Sequence, residues 1–225
     1  VTAANTAGTT FAAIGTAAKK ALSVTVSSGA DALFGAAVAA NTLTITGDAI
    51  VQASDNGSEV IAMGASSTLI IDDTLTNGVN VFNEVATTRP TLTSGAKIYL
   101  PVNLKTTQTL SLFEDEDNDG LSDHATTITE TTAAIQDNAL FDYTAAASTT
   151  GNGFTIVTAT VKAAGTTESE LGITNNKAVA LKQALLAAID DTNADATLED
   201  QFTNALNGIA GQSATADTEL ANQVG

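Results

Sequence analysis

Cysteine and tryptophan are absent from the 225 residues, and methionine and histidine occur once each. Without cysteine the chain has no disulfide, no thiolate metal site and no thiol nucleophile. One histidine, His124, supplies too few nitrogens for zinc, and no G-x-S-x-G elbow accompanies it for a serine triad. Basic residues are scarce: 8 Lys+Arg against 25 Asp+Glu give a formal net charge of −17. Phosphate binding needs clustered cations, so nucleic acid and anionic membranes are excluded as partners. No run of 18 apolar residues occurs, and none of the sequence predicts a transmembrane helix. Neither a G-x-x-x-x-G-K-[ST] loop nor a strand-borne G-x-G-x-x-G is present. Carboxylate pairs for glycoside hydrolysis are available by number alone, but sugar clefts need aromatic platforms and the chain has two tyrosines, Tyr99 and Tyr143. No enzyme class is supported. The opening Val1-Thr2-Ala3-Ala4-Asn5 has no basic stretch and reads as a processed terminus.

The composition is 44% hydrophobic, only 15% charged and rich in Ala, Thr, Asn and Ser. That is too apolar for an acidic disordered tail, and its hydroxyl-rich character suits an exported β-protein. Five leucine-led segments recur: Leu22–Val26, Leu43–Gly47, Leu69–Asp72, Leu92–Gly95 and Leu110–Phe113, four of them preceded by threonine. Apolar residues alternate there with Thr and Ser, the period-2 pattern of strands with one buried face. Further strands are predicted at 49–51, 59–63, 79–82, 97–100 and 154–162, separated by turn signals such as Asp55-Asn56-Gly57.

The fold class predicted is mainly β. A β-solenoid of the right-handed parallel β-helix kind would turn its Val, Ile and Leu inward and its hydroxyls outward. The same alternation also fits a β-sandwich; the repeated Thr-Leu starts favour the solenoid. Phe11, Ile14 and Ala18 could form an amphipathic cap, and Ala30 to Ala40 a short inserted helix. After Gly172 the period changes to 3.6, with Ala178, Leu181, Leu185 and Ile189 on one face and Leu198, Phe202, Ala205 and Ile209 on a second helix. The organisation predicted is a β-domain over 1–172, with an acidic loop at 113–124, and a helical tail over 173–225.

The most specific local pattern is Asp115-Glu116-Asp117-Asn118-Asp119-Gly120-Leu121-Ser122-Asp123. Carboxylates at positions 1, 3, 5 and 9, a glycine at 6 and a backbone carbonyl at 7 are the spacing that wraps oxygen ligands around Ca²⁺. The ligand set predicted is therefore Asp115, Asp117, Asp119, Leu121 and Asp123. Position 12 is Thr126 and not glutamate, which departs from a full EF-hand; the segment looks more like the short DxDxDG loops of dockerin-type and thrombospondin type 3 repeats. A solvated acidic turn would carry the same residues.

Asn175-Asn-Lys-Ala-Val-Ala-Leu-Lys-Gln-Ala-Leu185, Leu206-Asn-Gly-Ile-Ala-Gly-Gln-Ser-Ala214 and Glu219-Leu-Ala-Asn-Gln-Val-Gly225 resemble the segment that ends the passenger of type V autotransporters, ahead of their membrane barrel. The strand Thr42–Asp48 is similar in style to passenger rungs. No translocator barrel follows these residues in the sequence. The resemblance implies surface export from a bacterium and a β-helix, and no particular reaction. The reading is thus a secreted, non-catalytic structural protein of the cell surface, self-associating into a fibre or layer and carrying a calcium-stabilised loop. The alternative is a monomeric passenger acting as an adhesin that binds a surface glycan or host surface.

Overall fold

The computed structural model describes residues 1–161 except 7, 76–77, 84–88, 102–103, 105–107, 116–121, 138–140 and 149–152; at 58, 59, 115, 122–124, 153 and 161 it describes the backbone only. Residues 162–225, and with them the predicted helical tail, lie outside the described residues. The chain divides into two compact units. The first comprises Val1–Leu104, Gln108–Gln136 and Tyr143–Thr158; the second comprises Lys105–Thr107, Asp137–Asp142 and Ala159–Gly225. The β-stack belongs to the first unit.

In chain order the elements are β1 (Thr2–Ala3), β2 (Thr9–Phe11), β3 (Val24–Val26), β4 (Asp31–Phe34), β5 (Ala39–Ile45), β6 (Asp48–Val51), β7 (Asn56–Met63) and β8 (Thr68–Ile71). Then come β9 (Val79–Asn83), β10 (Thr91–Leu92), β11 (Lys97–Tyr99), β12 (Thr109–Asp115), helix α1 (Ser122–Ala134), β13 (Ile135–Gln136), β14 (Phe141–Ala147) and β15 (Gly153–Val161). From β1 to β9 the chain alternates between two sheets. One has the order β1-β3-β5-β7-β9-β12-β15-β14, with β10 also on β7; the other has the order β13-β11-β8-β6-β4-β2. Described pairings among β1 to β13 are parallel, and β12 with β15 is antiparallel. Hairpin connections would pair successive strands antiparallel, so the hairpin-built sandwich does not describe this region.

In-register stacking places like residue on like. In the first sheet Val24 lies beside Leu43 and Leu43 beside Ile61; Val26 lies beside Ile45, and Ile45 beside Met63. In the second, Ala32, Ala49, Leu69, Ile98 and Ile135 form one line and Phe34, Val51 and Ile71 another. All of these are buried. Burying a Val, Leu or Ile side chain contributes roughly 1.5–3 kcal/mol, so these lines supply the main cohesion of the stack. Phe11 stacks on Phe34 at 5.7 Å between ring centroids, and Phe82 on Phe113 at 5.6 Å.

The leucine repeat is not the structural repeat. Leu22 is 81% exposed and precedes β3. Leu43 lies in one sheet and Leu69 in the other. The lines that do stack mix Val, Ala, Leu, Ile and Met, because the buried position asks for apolar volume and not for leucine. Two further expectations are corrected. Ala30 to Ala40 contains β4 and the start of β5, not a helix; Ala30, Ala32, Ala39 and Ala40 are buried in the stack. Phe11 belongs to β2 and Ile14 bridges to Val38 in parallel, so this region is strand-like and not a helical cap.

Corners are fixed by short turns. Ala30, Ser67 and Ala96 donate their N–H to Ser27, Gly64 and Thr93 carbonyls respectively. Asp48 N–H then reaches Ala30 O, and Lys97 N–H reaches Ser67 O, tying one corner to the next. Gly95 takes φ 97°, a conformation that a side chain makes costly.

Candidate functional site

Asp115 ends β12, where its backbone stands opposite Gly153, and Asp123 lies in α1, one residue from its start. Asp117, Asp119 and Leu121, together with the side chains of Asp115 and Asp123, lie outside the described residues, as does the His124 side chain. What the backbone adds is a strand leading into the acidic segment and a 13-residue helix leading out of it. No sequence pattern announced that helix. Among the described residues no group of three or more His, Cys, Asp or Glu is placed to hold a metal.

Helix α1 is anchored by an ion pair. Arg89 Nη1 donates to Glu130 Oε2 at 2.7 Å, and Leu92 N–H donates to the same oxygen at 3.1 Å. The helix buries Thr127, Thr131 and Ala134, an i, i+4, i+7 stripe made of small residues. Burial pushes the Glu130 carboxyl up, but the Arg89 and Leu92 hydrogen bonds and the guanidinium charge outweigh it, leaving the group below its ordinary 4.5. A carboxylate depressed in the folded state stabilises that state above its unfolded value, and the contribution is lost as pH falls through the folded value. Thermal melts of the wild type should therefore lose stability below about pH 4.5 by more than Glu130→Gln does. Parallel pH profiles for the two proteins would contradict the anchoring role.

The two sheets present different outer faces. On the first, Thr2, Thr25, Thr44, Ala62 and Thr91 follow one another across the strands, close to the expected hydroxyl surface. On the second, the outward line runs Thr10, Leu33, Ile50, Ile70, Tyr99, Gln136, so the expectation of outward hydroxyls fails there. Ile50 is 36% and Tyr99 41% exposed.

Asn56, which the sequence places in a turn, is almost fully buried. Its Oδ1 accepts from Val38 N–H at 2.8 Å, and its Nδ2 donates to Ala53 O at 2.6 Å and Val81 O at 2.9 Å. One side chain thus ties the entry to β5, its own turn and β9. Asp55, beside it, does take the left-handed conformation that Asp-Asn-Gly suggests, with φ 56°.

The sheet edges are the remaining feature. Among the described strands β1 has a neighbour on one side only, and so do β2, β13 and β14. Val1 O and Ala3 O accept from Thr25 and Ser27, so the alternation of the ladder turns the Thr2 N–H and C=O toward the open edge. Comparison with known proteins returns no matching family model, no matching curated protein and no matching solved structure.

Proposed function

We propose that this chain is a non-catalytic structural protein of a bacterial cell surface, a β-solenoid of autotransporter-passenger type that associates end to end. The observation that carries the reading is the strand-by-strand alternation of β1 to β9 between two sheets, in which these strands stack parallel and in register. From β1 to β8 each pass adds one strand to each sheet, and among the described residues the strands at the ends of the stack are paired on one side only. An open edge accepts a further strand through main-chain hydrogen bonds. A head-to-tail contact that does not close on itself produces a filament. The charge of −17 opposes such contacts, and screening or divalent cations relieve it. Calcium held by Asp115, Asp117, Asp119, the Leu121 carbonyl and Asp123 would offset half of the charge of these four carboxylates and fix the entry into α1. The hydroxyl-rich first sheet then faces the medium.

Negative-stain images of the 225-residue chain should show fibres or sheets in calcium that thin or dissolve on chelation. Proline at Thr2 and Thr10 removes edge donors without touching the β1–β3 or β2–β4 ladders. Thr2→Pro with Thr10→Pro should therefore abolish fibres while leaving the melting temperature nearly unchanged. Single particles in both conditions, or fibres indifferent to the prolines, would contradict the end-to-end reading.

A further inference from the structure

The outer face of the second sheet is ordered in a way that matches a reversed copy of itself. Across its strands one line reads Thr10, Leu33, Ile50, Ile70, Tyr99, Gln136: polar, four apolar, polar. The parallel line, two residues earlier on each strand, reads Asp31, Asp48, Thr68, Lys97, negative at one end and positive at the other. Asp31, Asp48 and Lys97 are all exposed. We propose that this face is a homodimer interface: two copies pack face to face about a two-fold axis parallel to the strands, passing between β6 and β8.

Such an axis preserves position along the strands and reverses the order of the strands. Ile50 then faces Ile70 of the second copy, Leu33 faces Tyr99, and Thr10 faces Gln136. In the charged line Asp31 faces Lys97, with Asp48 one strand spacing, about 4.8 Å, to the side. A two-fold axis perpendicular to the strands would keep the strand order and set Asp31 near Asp31 and Lys97 near Lys97, which the charges oppose. This charge order singles out a second copy as the occupant. Isologous contact also doubles the effect of every substitution, since each residue enters twice. The apolar row is narrow, well under the roughly 800 Å² per partner of a standard interface, so the association is weak, with a Kd of roughly 10–100 µM. The proposal concerns a face and not the sheet edges, and it stands or falls separately from end-to-end assembly.

Sedimentation velocity on the full 225-residue chain, carried out in chelator with Thr2→Pro alone to suppress fibres and leave this face intact, should show a monomer–dimer equilibrium. Ile50→Glu should weaken it at least tenfold. The decisive arm uses charge reversal. Lys97→Asp alone, and Asp31→Lys with Asp48→Lys alone, should each be monomeric, because like charges then meet across the axis. An equimolar mixture of the two should dimerise as well as or better than wild type, because both ends of the heterodimer regain opposite charges. Recovery in the mixture also shows that both variants fold. A wild type that stays monomeric up to about 1 mM (roughly ten times the upper Kd expected for so small a face), as it would if another part of the chain covered the row, overturns the proposal. So does a dimer that ignores Ile50→Glu, or a mixture that remains monomeric.

Discussion

Replacing Asn56 by leucine is expected to lower the stability of the β-stack by roughly 3–5 kcal/mol, among the largest effects of any single substitution in it. The side chains are similar in size, so the loss is not one of volume. It comes from the groups left behind. Val38 N–H and Val81 C=O lie where Asn56 is buried, and each was satisfied by this amide. A buried donor or acceptor left without a partner costs about 1–3 kcal/mol. Ala53 O loses its bond as well, nearer the surface. Asn56→Asp should be at least as damaging at neutral pH, since one carboxylate oxygen keeps the acceptor for Val38 but the other, in place of Nδ2, faces both the Ala53 and Val81 carbonyls. Its cost should shrink in acid, when the protonated acid regains one donor. Urea melts of the three proteins at about pH 7 and about pH 4, on either side of the ordinary carboxyl range, check both statements. A leucine variant within about 1 kcal/mol of wild type would show that the three bonds are not what closes this corner.

Glycine at 47 should prove equally intolerant, for a reason that has nothing to do with φ. A Cβ built there runs into the carbonyl oxygens of Ser27 and Ala30, both backbone atoms of the preceding turn. Neither can swing aside like a side chain, so the corner must open, and Asp48 N–H would be drawn off Ala30 O. Gly47→Val is expected to cost roughly 3 kcal/mol or more, with Gly47→Ala already near that value. Gly29 is the control. It takes φ 72° but meets nothing within 4 Å, so Gly29→Ala should cost only the roughly 1–2 kcal/mol of a left-handed residue. Equal losses at the two positions would mean that backbone strain, and not close approach, sets the corner.

These two residues show where a sequence reading reaches and where it stops. Period-2 alternation located the strands at 24–26, 43–45, 49–51, 69–71 and 154–161, because a half-buried strand cannot hide its pattern. Which strand lies beside which is a long-range fact, and the leucine spacing pointed to the wrong partners. Helix α1 was invisible because the stripe it buries is Thr127, Thr131 and Ala134, with neither the apolar volume nor the helix propensity that betrays an amphipathic helix. Ala30 to Ala40 failed in the opposite sense. Its alanines favour a helix locally, and packing in a parallel stack overrides them. Asp55-Asn56-Gly57 was rightly a place where the chain bends, but nothing local says that the amide there will be buried against two neighbouring strands. The outward row Leu33, Ile50, Ile70 and Tyr99 could have been noticed as apolar residues on the polar phase of the alternation. The acidic ligand set at 115–123 was legible only as a spacing, and calcium titration of the intact chain is what bears on it.

The central claim is that this chain is a stack of parallel strands that continues from one molecule into the next. Fibre diffraction from aligned assemblies grown in calcium tests it most directly. End-to-end addition keeps strands perpendicular to the fibre axis, so the spacing of about 4.8 Å between neighbouring strands should appear as a sharp meridional reflection. Fibres with that reflection on the equator, or assemblies with no such order along their length, would contradict it.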